Sequence, residues 1–390
     1  MLLVMEKVRL GIVGIGNMGG SHAQNLLKGA VDRCELTAVC DGDPEQLKRF
    51  PEVSRYHDSG EMIRGGEIDA ILIATPHYSH TTIGRDAFEH NLHVLTEKPI
   101  SVHKADCERL IEAAQAKPDK VFCAMFQQRT VPQYRKVRQM IADGELGKIH
   151  RAIWYVTNWF RSENYYASGG WRATWAGEGG GVLLNQCPHQ LDLYQWILGM
   201  MPSKVRAFCQ FGKYHDIEVE DDVTAYMEFP NGATGVFITT TGEAPGTNRF
   251  EIQGERGKLT LEGGQPIKFI RNEVEITEFS RTTSSRFGTP PTWDITIDTP
   301  GEKGPGHMQI IQNFVDAILD GTELLAPAAE GVNSVELANS MLYSAWTDST
   351  VDMPLDGAAY EKLLKERIEN STFKKKAVVK ADADDFGASF

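Results

Sequence analysis

Val8-Arg9-Leu10-Gly11-Ile12-Val13-Gly14-Ile15-Gly16-Asn17-Met18-Gly19 is the stretch on which the fold turns. A continuous apolar run closes in glycines spaced G-x-G-x-x-G, and a helical pattern follows over residues 17–28. The first glycine permits a tight turn, the second lets a pyrophosphate approach the backbone, and the third allows close helix packing. The helix N-terminus adds free N–H groups and the positive end of a dipole. Alone, such a turn says little, because glycines are common at strand ends. Here a second apolar run, residues 36–40, ends at Asp41, where a carboxylate can accept both ribose hydroxyls of an adenosine. Asp41 is followed by Gly42 and Asp43 with no arginine beside it to receive a 2′-phosphate, so NAD is favoured over NADP. The bland alternative is that Asp41 is a plain turn residue.

Working outward, helical patterns at residues 43–50, 78–89 and 104–116 alternate with apolar runs at 70–74, 93–96 and 121–125. That order predicts an α/β domain with a doubly wound parallel sheet and helices on both faces. The chain has 390 residues, enough for two domains. Forty basic against fifty-three acidic side chains give a net charge of -13, which disfavours nucleic acid and anionic membranes as partners. No apolar run approaches the roughly 18 residues of a membrane span. The six cysteines form no CxxC pair and read as reduced thiols. With no export signal at the N-terminus, a cytoplasmic location is expected. Residues 371–390 have no periodicity and predict a disordered tail.

Thr96-Glu97-Lys98-Pro99 puts two charges at the end of an apolar strand, on the sheet edge where ligands of open α/β folds bind. Proline restricts the lysine before it and allows a cis bond that aims the side chain inward. A lysine beside a cationic nicotinamide would have its ammonium disfavoured and could carry a proton or polarise a substrate oxygen. A surface pair of Glu97 and Lys98 is the alternative.

These motifs, with Thr75-Pro76-His77-Tyr78-Ser79-His80, Gln128-Arg129, Gly144-Glu145-Leu146-Gly147 and Asn185-Gln186-Cys187-Pro188-His189-Gln190-Leu191-Asp192, occur in the order found in the glucose-fructose oxidoreductase/inositol dehydrogenase family (Gfo/Idh/MocA), which the chain resembles over residues 7–355. The resemblance implies an N-terminal Rossmann domain, a C-terminal α/β domain with an open, largely antiparallel sheet, and a substrate pocket between them. It carries the glycine turn onto Gly14, Gly16, Asn17 and Met18, and the ribose carboxylate onto Asp41. The loop beside the cofactor falls on Thr75, Pro76, His77 and His80, with His77 where the family has asparagine. Glu-Lys-Pro falls on Glu97, Lys98 and Pro99, and the catalytic histidine on His189. The carboxylate that usually precedes that histidine by four residues is Asn185 here.

Read without the family, residues 180–198 form a helical pattern that would set Asn185, His189 and Asp192 along one face. A histidine there can take a hydroxyl proton near neutral pH. An amide at Asn185 can orient the ring or a sugar hydroxyl but supplies no counter-charge. Cys187, His189 and Asp192 match no compact zinc spacing, so no metal is expected. Residues 154–175 hold eight aromatics, which suit the C–H faces of sugars, with Asn158, Arg161 and Arg172 interleaved as donors. For half of these rings a core or subunit-contact role is the expectation.

Alternating runs at 224–229, 234–241, 249–253, 258–261, 267–271 and 274–279 predict antiparallel hairpins, and helical patterns at 307–319 and 331–347 complete the second domain. Residues 280–306 read as a lid or interface arm. The expected division is 1–125 for the Rossmann domain, 126–370 for a substrate-binding and oligomerisation domain, and 371–390 for the tail. The reading that follows is an NAD-dependent dehydrogenase oxidising a secondary alcohol of a sugar, glycoside, anhydrosugar or inositol, with Lys98 and His189 catalytic. Gln128, Asn158, Arg161, Arg172, Asn185 and Asp192 would hold the substrate. The resemblance implies a homodimer or homotetramer closed through the open sheet. The alternatives are a redox-neutral glycoside-cleaving or eliminating enzyme on tightly held NAD, and a non-enzymatic dinucleotide sensor.

Overall fold

The computed structural model describes residues 6–299 and 306–375. Val8–Val13 is buried at every position except Arg9, as a strand covered on both faces must be. It is β1 of a series that runs α1 (Asn17–Leu27), β2 (Cys34–Cys40), α2 (Pro44–Leu47), β3 (Ser54–Tyr56), α3 (Ser59–Arg64), β4 (Ala70–Ile73), α4 (Ser79–Glu89), β5 (His93–Thr96), α5 (Lys104–Gln115) and β6 (Phe122–Ala124). The strands form a six-stranded sheet of order β3-β2-β1-β4-β5-β6. Every pairing in it is parallel. The order reverses between β1 and β4, and that crevice is where open α/β sheets take their ligands.

The second domain continues with α6 (Pro132–Ala142), β7 (Ile149–Val156), α7 (Glu163–Ala167), α8 (Pro188–Leu198), β8 (Lys204–Phe211), β9 (Glu220–Glu228), β10 (Thr234–Thr240), β11 (Asn248–Gly254), β12 (Gly257–Glu262), β13 (Ile267–Asn272), α9 (Ile276–Thr282) and β14 (Thr292–Ile297). Then come α10 (Gly306–Asp320), α11 (Gly331–Thr347), β15 (Val351–Asp352) and α12 (Gly357–Glu369). Its sheet has nine strands, ordered β14-β13-β12-β11-β7-β10-β9-β8-β15. Within it only β7 and β10 run parallel, and the other pairs are antiparallel. Trp154, Leu191, Tyr194, Phe237, Phe250 and Met341 share the core between this sheet and its helices. The other face carries exposed Tyr155, Phe208, Tyr226 and Ile270.

The chain returns to its first domain late. Ile310, Ile311 and Phe314 of α10 pack in one core with Val8, Leu10 and Ile12. Lys104 N–H donates to Asn339 Oδ1 at 2.9 Å, tying α5 to α11. Contacts such as Tyr78 Oη to Trp175 O, at 2.8 Å, and Lys98 Nζ to Asn185 O, at 3.1 Å, bring the loops after β4 and β5 against the second domain.

Expectations are corrected at four places. Residues 274–279 were expected as a strand, but α9 begins at Ile276 because the Glu255 carboxylate captures Thr277 N–H at 3.0 Å and its hydroxyl at 2.5 Å, folding the segment back as a turn. Within residues 280–299 lies β14, paired along β13 from Ile267↔Ile297 to Asn272↔Thr292, so that part is sheet rather than lid; 300–305 lie outside the described residues. The helix expected over 180–198 starts only at Pro188. Before it, Glu220 Oε1 accepts N–H bonds from Gly181 at 2.8 Å and Leu183 at 3.0 Å, holding an irregular turn. In the expected tail, 376–390 lie outside the described residues, whereas Ser371 bonds Glu218 and Lys375 Nζ donates to Arg172 O at 2.8 Å.

Glu220 is fully buried, and burial pushes its carboxyl up to about 8, well above its ordinary 4.5. The folded protein therefore keeps a proton that the unfolded chain releases. The stability this gives is complete below about 4.5 and disappears as pH rises through about 8. Glu220→Gln, which keeps the acceptor oxygen and cannot ionise, should melt above the wild type at pH 8 and with it at pH 5. Equal melting differences at the two pH values would contradict a protonated Glu220.

Candidate active site

The glycine turn after β1 has the shape a dinucleotide requires. Gly14 has φ +82°, and a Cβ on it would lie 2.7 Å from the Ala74 carbonyl oxygen. A Cβ on Gly19 would lie 1.9 Å from the Gly14 carbonyl oxygen, so the third glycine is needed for helix packing. At Gly16 nothing lies within 4 Å of the Cβ position, which leaves open space over the backbone for a phosphate. Asn17 and Met18 open α1, whose first turn has no acidic residue and no side-chain cap to compete for its N–H groups. Asp41 braces the turn from β2, its carboxylate accepting from Ile15 N–H and Asp43 N–H, each at 2.9 Å. The residues present fit NAD.

Beyond β4, Thr75 presents a buried hydroxyl without a protein partner among the described residues. Pro76 lies beside it, exposed. His80 staples this loop to the next: its ring nitrogens lie 2.8 Å from the carbonyl oxygens of Pro99 and Thr75. His77 turns toward the second domain, with Nδ1 3.2 Å from Glu178 O and its ring edge-on to Trp171 at 5.3 Å.

The loop after β5 carries the paired charges. Glu97 faces His22 Nε2 at 2.8 Å. Burial opposes its charge, but the hydrogen bond and charge of His22, with His307 and Lys98 nearby, bring the carboxyl down to about 2. Lys98 precedes a cis proline and sends Nζ across the domain interface to Asn185 O at 3.1 Å. Burial lowers its pKa, with Arg172 adding to the effect and Glu97 and Glu178 opposing it.

His189, on the first turn of α8, is 6 % exposed, and neither ring nitrogen has a protein partner among the described residues. Burial, then the charges of Lys98 and His307, push its pKa well below 6.5, so the ring is neutral at neutral pH. A neutral imidazole with an open nitrogen is what a general base requires. Asn185 sits just before α8, not on it, with Tyr165 Oη at 3.4 Å from Oδ1 and its amide nitrogen bonded to Glu178.

The aromatic stretch divides as its burial dictates. Trp154 stacks on Phe250 at 4.4 Å, Tyr166 bonds Thr241 at 2.8 Å, and Trp175 meets Trp346 at 5.4 Å, all within the core. Trp159, Tyr165 and Trp171 are half-buried around the site. Arg161 lies over Trp159 and Tyr165, at 5.3 and 5.1 Å, and its Nε is buried without a partner among the described residues. Arg172 donates to Tyr165 Oη at 2.8 Å. Gln128 also has a buried Oε1 unpartnered among the described residues, whereas Asn158 is exposed.

Asp192 does not join this group. Arg129 grips both of its oxygens, at 2.8 and 2.6 Å, in a pair whose side chains are each 1 % exposed. Glu178 and Gln186, both buried, belong to the site, and sequence reasoning does not single them out. The only signal for Glu178 is an acidic residue set directly against Gly179-Gly180-Gly181.

Fold and site together define a dinucleotide-dependent oxidoreductase working across a domain cleft. Residues 8–125 match the oxidoreductase family with NAD-binding Rossmann fold, and residues 134–260 match the GFO/IDH/MocA C-terminal domain. The chain belongs to the Gfo/Idh/MocA family and uses NAD. It is 26 % identical over 285 residues to myo-inositol 2-dehydrogenase of Thermotoga maritima, covering 70 % of this chain and 81 % of that one. It is 24 % identical to levoglucosan dehydrogenase of Pseudarthrobacter phenanthrenivorans, covering 90 % and 99 %. The structure of the WlbA dehydrogenase from Chromobacterium violaceum with NADH and UDP-GlcNAcA superposes with a TM-score of 0.77 at 28 % identity, covering 90 % and 97 %.

Proposed function

We propose that this NAD-dependent sugar or polyol dehydrogenase oxidises a secondary alcohol to a ketone, with His189 as base and Lys98 as the group that holds the reacting oxygen. The observation that carries the reading is His189, a neutral imidazole buried with both nitrogens unpartnered among the described residues, on the side of the cleft that Lys98 reaches. His189 removes the hydroxyl proton. Lys98 donates to the oxygen as negative charge grows on it. NAD, held by the glycine turn and Asp41, supplies the hydride acceptor when bound. Arg161 Nε and Gln128 Oε1, buried without partners among the described residues, would fix the remaining hydroxyls, with Asn185 beside them.

The exposed Tyr155, Phe208, Tyr226 and Ile270 support burial of the open sheet face against a second copy. The six free thiols support a reducing, cytoplasmic compartment. Among the described residues no helix is long and apolar enough to cross a membrane. The test is NADH absorbance when the protein and NAD are offered sugars, 1,6-anhydrosugars, glycosides and inositols. Signal with one class supports the reading. Turnover without added cofactor, on NAD that survives dialysis, would instead establish the redox-neutral enzyme.

A further inference from the structure

The family's carboxylate is absent at Asn185, yet the site does not lack one. Glu178 is 1 % exposed, and both of its oxygens are committed. One accepts Ala173 N–H at 2.7 Å, and the other accepts the Asn185 side-chain amide. The main-chain oxygen of the same Asn185 receives Lys98 Nζ at 3.1 Å, so Asn185 joins Glu178 to Lys98 through its two ends. The Glu178 main-chain oxygen lies 3.2 Å from His77 Nδ1, which ties the carboxylate's own loop to the loop after β4.

We propose that Glu178 is the positioning carboxylate of this site: from seven residues upstream it fixes Asn185, whose main-chain oxygen receives Lys98, and it adds to Glu97 a second negative charge that favours the Lys98 ammonium ion. This rests on the dehydrogenase reading for its catalytic consequence only. A buried carboxylate beside a cation in low dielectric acts strongly on it. The charges facing Glu178 are Lys98, Arg172 and Lys375, with Glu220 and Tyr166 also near; those facing Lys98 are Glu97, Arg172, Cys187, His77, His80, His189 and His307. Burial lowers the pKa of Lys98, and Glu97 and then Glu178 raise it back; burial also raises the Glu178 carboxyl, opposed by Arg172, the Ala173 N–H, Asn185 and Lys375.

Glu178→Gln separates charge from shape. The introduced amide can still accept from Ala173 and, after Asn185 flips its own, donate to Asn185 Oδ1. We expect kcat to fall about tenfold at neutral pH with KM changed less than about twofold, and the alkaline limb of kcat to move about one unit lower. Glu178→Asp should return the limb toward the wild-type position. In a second readout that needs no turnover, the pH midpoint for labelling Lys98 with an amine reagent, read by peptide mass spectrometry, should drop by about the same amount. A midpoint that shifts in a protein forming no NADH would sink the dehydrogenase reading and leave the role of Glu178 standing. An unmoved limb and an unmoved labelling midpoint would overturn that role. If Glu178→Gln does not fold, the double variant Glu178→Gln/Asn185→Asp restores a carboxylate at the familiar position, with the introduced glutamine amide donating to it. Labelling at the wild-type pH supports the proposal, and labelling at a lower pH overturns it.

Discussion

Lys98→Ala and His189→Ala should each bind NAD as the wild type does and lose turnover by roughly 10²- to 10⁴-fold, the range that removal of a positioned acid or base produces. The expectation follows from where each side chain finds its partners. Lys98 reaches out of the loop after β5 to the second domain, and its side chain bonds Asn185 O, so removing it leaves the glycine turn and Asp41 untouched. His189 makes no protein hydrogen bond among the described residues, so its loss breaks none. The two variants should differ in their pH profiles. Burial and the charges of Lys98 and His307 hold His189 well below 6.5, so activity limited by its free base should persist down to below the usual histidine range. In Lys98→Ala, one of those charges is gone and the acid limb should move up. NAD titration by fluorescence, kcat by NADH absorbance and melting curves together decide the matter. A variant that folds but no longer binds NAD would place that residue in the cofactor scaffold instead.

His189 is reached through the resemblance, because spacing alone extends its helix back to residue 180, whereas Lys98 stands out as a candidate locally, at the end of an apolar strand. The parallel sheet is legible for the same reason: its strands are buried on both faces, and continuous runs such as 70–73 stand out. The second sheet blurs because one of its faces is open yet partly apolar. In β8, exposed Phe208 sits among inward-facing Val205 and Ala207, so the period-two signal fades and no strand is predicted there. In β7 the alternation is present, but Trp154 and Tyr155 draw the reading toward a sugar platform when Trp154 is core and Tyr155 faces outward. Glu178 is out of reach because its function depends on an amide seven residues away that bends back over an irregular turn. That turn is held by Glu220, on a distant strand.

Asp192→Ala should destabilise the protein by about 3 to 5 kcal/mol while changing kcat of the folded fraction little, because it takes the buried partner from a buried cation rather than removing a substrate contact. Spacing on α8 alone cannot tell these roles apart, since a carboxylate three residues after His189 can face a pocket or a partner. Its partner is Arg129, on the turn after β6, which takes both oxygens of Asp192 and also bonds Glu330 at 2.5 Å. Glu330 is half-exposed and can stay hydrated without its partner, but Arg129 at 1 % exposure cannot. Arg129→Met should cost a similar amount for the mirror reason, leaving Asp192 buried and unpaired. The double replacement Arg129→Met/Asp192→Leu removes both charges and should be less destabilised than either single variant, since neither ion is then left without its partner. Thermal midpoints measured at one pH read this directly, with the single variants falling on the order of 10 °C. If Asp192→Ala instead melts with the wild type and raises KM for the sugar, Asp192 belongs to the substrate site and the ion pair is dispensable. The double variant makes the two cases exclusive: recovery of stability without loss of kcat can arise only if this pair joins the turn after β6 to α8 as structure.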